Sequence, residues 1–137
     1  MARLIDTSVF IAQERGGFAV PELLDRIDDP DIGLAAITAS ELLVGVHRAT
    51  PPSRQEARRA YVERILDTIP TIPFDINVAR LHARLTAEMM RSGELIRSND
   101  LQIAATGVAL GYTVLTANLR DFRRVPGLEV ESFADLP

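Results

Sequence analysis

At 137 residues, with 47% hydrophobic and 25% charged residues, the chain has the size and composition of one folded domain, and a disordered or two-domain protein is not expected. It contains no cysteine, which rules out disulfides, thiol catalysis and thiolate metal sites and suits a reducing cytoplasm. The net charge of -4 comes from 19 acids against 15 bases, all of them Arg; this argues against indiscriminate nucleic-acid binding while leaving room for a basic rim around an acidic site.

In chain order, Leu4 and Ile5 read as a buried strand that ends in a carboxylate, Asp6. The same Asp interrupts what would otherwise be the apolar stretch of a signal peptide, so none is expected. A short helix over Ser8 to Arg15 is stopped by Gly16 and Gly17, and a second helix carries Leu23, Leu24 and Ile27 up to Asp28-Asp29-Pro30. Ile32 to Ile37 reads as a second buried strand. Thr38 then opens a helix, with Thr38 and Glu41 at the spacing of a reciprocal capping box.

Ser53 is expected to cap a longer helix reaching about Asp67, on which Arg54, Arg58, Arg59 and Arg64 line solvated faces. Ile69 to Phe74 reads as a short strand confined to an edge by Pro70 and Pro73. A helix from Asp75 to Arg91 and another from Ser98 to Gly111 follow, then a strand over Tyr112 to Thr116, a polar turn from Asn118 to Arg124, and a last strand over Leu128 to Phe133. The uncharged run Leu101 to Ala117 is at the short limit for a membrane span. Gly107 and Gly111 break it into helix, turn and strand, so it reads as core. Strands alternating with helices predict an α/β fold with a mostly parallel sheet of four to five strands, covered on both faces.

Three acids share one setting. Asp6 ends the first strand, Glu41 lies just after the second, and Asp100 is in the first turn of the helix that begins at Ser98; Asp121, after the strand ending at Thr116, is a fourth candidate. In open parallel sheets the ligand crevice lies at these strand ends. Each acid also has a local explanation, as helix cap, capping-box partner or dipole complement. For Asp6 that explanation is weaker, because a carboxylate directly after a buried apolar pair needs a charge partner and the chain has no Lys.

Clustered carboxylates repel unless a cation sits among them, and all-oxygen donors suit Mg²⁺ or Mn²⁺, which points to phosphodiester chemistry. His47 and His82 fall on helices away from these turns. Ser8, Ser40 and Ser98 lack the nucleophile-elbow motif, and no Gly-rich phosphate loop is present. A receiver-type domain would need a late Lys, and an aspartyl phosphatase an acid at Ser8.

Four segments, Leu4-Ile5-Asp6-Thr7-Ser8, Ile37-Thr38-Ala39-Ser40-Glu41-Leu42, Ser98-Asn99-Asp100-Leu101-Gln102-Ile103-Ala104-Ala105 and Leu115-Thr116-Ala117-Asn118-Leu119-Arg120-Asp121-Phe122, resemble in order and spacing the signature segments of PIN-domain ribonucleases. The chain's compact length is similar to that of the VapC-type toxins of type II toxin–antitoxin pairs. The resemblance spans essentially residues 1–137 as a single PIN domain. It implies a Rossmann-like α/β/α sandwich and a Mg²⁺- or Mn²⁺-dependent endoribonuclease. Asp6, Glu41 and Asp100 would be the metal ligands, with Thr7 and Thr116 orienting ligands or waters. It also implies a cytoplasmic homodimer silenced by a small antitoxin whose C-terminal segment lies in a groove beside the site.

The fourth family acid often stands two residues after the strand-ending Thr, where this chain has Asn118. Asp121 as a weak or water-mediated contributor, Asn118 as a neutral oxygen, and a three-acid site are the open alternatives. Setting aside Asp6, Glu41, Asp100 and Asp121, the remaining 15 acids match the 15 Arg, so the net charge would reside where cations bind. Arg120, Arg123 and Arg124, or the Arg54 to Arg64 face, would then hold flanking RNA phosphates. The alternatives to an RNase are a non-catalytic RNA- or partner-binding domain and a DNA-directed nuclease.

Overall fold

The computed structural model describes residues 2–136. Its strands are β1 (Arg3–Ile5), β2 (Ile32–Ala35), β3 (Thr71–Ile72), β4 (Thr113–Thr116) and β5 (Val130–Ser132). They form one five-stranded sheet in the order β3-β2-β1-β4-β5, with every neighbouring pair parallel. The helices are α1 (Thr7–Arg15), α2 (Val20–Ile27), α3 (Ala36–Arg48), α4 (Pro52–Thr68), α5 (Ile76–Ser92), α6 (Ser98–Leu110) and the single turn α7 (Leu119–Phe122). None of them is long and apolar enough to cross a membrane.

Successive strand residues divide between two hydrophobic clusters, as a period of two requires when both sheet faces are covered. Ile5, Leu34 and Leu115 enter one cluster with Phe10, Leu23, Val46 and Ile65 from α1 to α4. Leu4, Ala35 and Val114 enter the other with Leu85, Met89, Leu101 and Phe122 from α5 to α7. The sheet is thus the middle layer of an α/β/α sandwich; its central strands β1, β2 and β4 are mostly buried, and the edge strands β3 and β5 are partly exposed.

Several boundaries differ from the sequence expectation. β2 stops at Ala35 and passes directly into α3, which begins at Ala36 with no side-chain cap. Thr38 therefore lies inside the first turn and the capping box with Glu41 does not form; both side chains turn toward Thr7 instead. α4 begins at Pro52, so Ser53 is inside the helix and caps nothing. Proline at the first helical position needs no N–H partner, which makes it the better start. The Ile69 to Phe74 run pairs only at Thr71 and Ile72, on the edge where its two prolines confine it. Phe133 leaves β5 to start a 3₁₀ turn over Phe133–Asp135.

The strand order reverses beside β1. From β1 the chain steps to β2 and β3 on one side, then crosses to β4 and β5 on the other. The junction of β1 and β4 is therefore the topological switch point, where strand ends diverge and leave a crevice. Asp6 is the first residue beyond β1, and its N–H donates to Leu115 O of β4 at 2.9 Å.

Candidate active site

Asp6 is only 3% exposed. It occupies the N-cap position of α1, but its side chain caps nothing there. Its Oδ2 instead accepts hydrogen bonds from Ser8 Oγ at 2.6 Å and from Thr116 Oγ1 at 2.8 Å. Burial pushes the carboxyl above its ordinary range, and Glu41 adds to the shift, while the bonds from Ser8, Thr116 and the Thr7 backbone oppose it.

Asp100, in the first turn of α6, is 8% exposed and its pKa is pushed up to about 6. Burial is the largest cause; Asp6, Glu41 and Asp121 add repulsion and Arg97 opposes them. The other three candidate acids are thus all within electrostatic reach of Asp100. Glu41, half-buried in the second turn of α3, accepts from Thr7 Oγ1 at 2.8 Å through Oε1 and from Asn99 Nδ2 at 3.4 Å through Oε2. Thr7 Oγ1 also stands 3.1 Å from the fully buried Thr38 Oγ1.

On the opposite wall, the β4–α7 turn is held by the Thr116 and Ser8 hydroxyls. Asn118 N–H donates to Thr116 Oγ1 at 2.8 Å and Ala117 N–H donates to Ser8 Oγ at 3.0 Å. Asn118 Nδ2 reaches Asp121 Oδ2 at 3.5 Å, a long contact in an exposed setting. Asn118 provides no side-chain cap to α7.

The donor chemistry fits a hard divalent cation. The site offers carboxylates and hydroxyls without thiolate or imidazole, and its two most buried acids are both shifted upward, by burial first and by neighbouring acids after it. Among the described residues no three acidic or histidine side chains already stand close enough together to hold a metal. Glu41, turned to Thr7 and Asn99, is the acid whose oxygens are committed elsewhere.

Residues 3–128 match the PIN domain family. The chain belongs to that family. It is 32% identical to Ribonuclease VapC1 of Rickettsia felis over 130 residues, 95% of each chain. Among solved structures it is similar to VapBC-5 of Mycobacterium tuberculosis, a member of the VapBC family of toxin–antitoxin systems, at 34% identity and TM-score 0.73 over 96% of each chain. It is also similar to a DNA-bound VapBC from Salmonella typhimurium, at 25% identity and TM-score 0.86 over 96% of this chain and 98% of that one.

Beside Glu41 this PIN domain has a groove between α1, α3 and α4, lined by Phe10, Ile11, Arg15, Leu42, Tyr61 and Val62 among others. Tyr61 Oη donates to Phe10 O at 3.0 Å and ties α4 to α1; burial and Glu14 push its pKa up to about 12, so it stays a donor. Arg58 pairs with Glu14 at 2.9 Å and Arg59 with Glu56 at 3.7 Å, so these two arginines of the Arg54 to Arg64 face have partners within the PIN domain. Of the three arginines near the β4–α7 turn, Arg124 is paired with Glu94 at 3.4 Å, and Arg120 and Arg123 are exposed.

His47 is exposed, and His82 packs edge-on against Phe74 at 5.5 Å between ring centroids. Three residues with site contacts were not foreseen in that role. Ser8, considered only as a nucleophile, has the local signal of a hydroxyl two residues after an Asp. Thr38 and Asn99 contact residues 31 and 58 positions away, a separation that leaves no local signal.

Proposed function

We infer that this PIN domain is a VapC-type ribonuclease, the toxin of a toxin–antitoxin pair, that hydrolyses RNA phosphodiester bonds with Mg²⁺ or Mn²⁺. The observation that carries the reading is the pair of buried carboxylates, Asp6 and Asp100, both pushed toward protonation at the switch point of the sheet. Asp6, Asp100 and Glu41 are the residues to hold the cation, with Asp121 as an outer contributor. Bound there, a divalent cation supplies an activated water and offsets charge on the phosphate and leaving oxygens. Thr116 and Thr7 orient the carboxylates through the bonds described above. The low-dielectric floor formed by Ile5 and Leu115 strengthens every charge interaction above it.

Exposed Arg120 and Arg123 are suited to flanking phosphates as partners of the acidic centre. The groove beside Glu41 is the place for a small antitoxin's segment, and the single domain over 1–137 works in the cytoplasm as a homodimer. The test is cleavage of single-stranded RNA, beside single-stranded DNA, by the purified chain and by Asp6→Asn and Asp100→Asn. Each substitution is expected to lower cleavage at least about 100-fold with the fold intact by circular dichroism. Retained cleavage in both variants overturns the reading, and cleavage of DNA alone replaces it with a DNA-directed nuclease.

A further inference from the structure

Beside Asp6, the Ser8 and Thr116 hydroxyls make three connections each, and those of Ser8 join the end of β1 to the β4–α7 turn. Ser8 Oγ donates to Asp6 Oδ2 at 2.6 Å, accepts from Ala117 N–H at 3.0 Å and lies 3.3 Å from Thr116 Oγ1. Ser8 and Thr116 converge on the same carboxylate oxygen, and neither hydroxyl bonds Oδ1. A carboxylate with one oxygen clamped by two hydroxyls has lost rotation about its terminal torsion and presents its other oxygen in a fixed direction. The same Ser8 hydroxyl fastens the backbone of the β4–α7 turn, which carries Asn118 and Asp121, to the end of β1.

We propose that Ser8 is a positioning residue of the metal centre. Its hydroxyl fixes Asp6 so that Oδ1 is the ligating oxygen, and it sets the distance between Asp6 and the turn bearing Asn118 and Asp121. The inference rests on the reading of Asp6 as a metal ligand. Ser8 needs no contact with the cation or with RNA to act in this way, because outer-shell hydrogen bonds orient ligands and commonly carry a 10- to 100-fold effect on metal affinity. The short distance fits this role, since a hydroxyl bond to an ionised carboxylate is charge-assisted and directional.

The experiment measures Mn²⁺ binding by isothermal calorimetry on the full chain for wild type, Ser8→Ala, Ser8→Thr and Asp6→Asn, with thermal melts of the metal-free proteins alongside. Ser8→Ala removes the hydroxyl without adding bulk, and Ser8→Thr restores it. The expected result is Mn²⁺ affinity about 10-fold weaker in Ser8→Ala and within about 3-fold of wild type in Ser8→Thr. A purely structural serine would lower the melting temperature of Ser8→Ala and leave the affinity of the folded protein unchanged, which overturns the proposal. So does weak binding in Ser8→Thr equal to that of Ser8→Ala. If Asp6→Asn binds Mn²⁺ as tightly as wild type, the ligand assignment of Asp6 falls, a result distinct from the failure of Ser8 alone.

Discussion

In the metal-free protein, burial and three neighbouring acids raise the pKa of Asp100 to about 6, with only Arg97 opposing, and Asp6 is shifted in the same direction. Between the unfolded value of 3.8 and about 6 the folded chain therefore holds protons that the unfolded chain has released. Stability of the metal-free protein falls as pH rises through that window and stays at its lower level above it. Asp100→Asn is expected to flatten this dependence and to stabilise the metal-free chain at pH 7 by on the order of 1 kcal/mol. Mn²⁺ at pH 7 is expected to raise the melting temperature of wild type but not of the variant. Melting curves from pH 4 to pH 7 with and without metal check both; a stability that rises across the window would contradict the electrostatic account. At this scale the sequence displayed the acids clearly, since Asp6 follows a buried apolar pair and Asp100 opens a helix. How Asp6 and Glu41 are oriented was less legible. Thr116 reaches Asp6, and Thr7 and Asn99 reach Glu41, from far away in the chain and only through the fold.

The elements were legible wherever both a periodic apolar pattern and a stop signal were present. Gly111, at φ 69°, ends α6 in the left-handed region where only glycine is unstrained, and Tyr112 N–H closes the turn on Gly107 O at 2.9 Å. Starts were harder to read. Thr38 and Ser53 have the chemistry of helix caps, but α3 grows directly out of β2 and α4 starts on a proline, so both residues lie inside helices.

Helix interiors also carry glycines whose roles only packing explains. A Cβ on Gly107 of α6 would stand 3.0 Å from Val114 Cγ2 and 3.2 Å from Leu128 Cδ1, whereas one on Gly45 of α3 would meet only Arg58 Cδ at 3.8 Å. Gly107→Ala is expected to lower stability by about 1 kcal/mol, because overpacking against β4 outweighs alanine's better helix propensity. Gly45→Ala is expected to gain about 0.5 kcal/mol from propensity with nothing to oppose it. Urea unfolding of the two variants checks the pair. Equal gains in both would show that α6 has room to move from the sheet.

The whole molecule places its chemistry by topology. An all-parallel sheet in the order β3-β2-β1-β4-β5 has one reversal beside β1, and the ends of β1 and β4 supply Asp6 and Thr116 to the crevice there. α3 and α6, packed on this sheet, bring Glu41 and Asp100 to the same place. The α/β class and both covered faces follow from apolar strands such as Val114-Leu115 alternating with amphipathic helices. The strand order has no local signature, because it depends on which strand β4 joins after the long crossover from β3 through α5 and α6.

The central claim is that this convergence makes a cation site. Anomalous diffraction from a crystal of the wild-type chain soaked in Mn²⁺ tests it most directly. The account predicts a Mn²⁺ peak within coordination distance of carboxylate oxygens from both Asp6 and Asp100, and no such peak in Asp6→Asn crystals treated identically. A wild-type crystal with no peak at the β1–β4 crevice, or with its Mn²⁺ bound elsewhere, would contradict it.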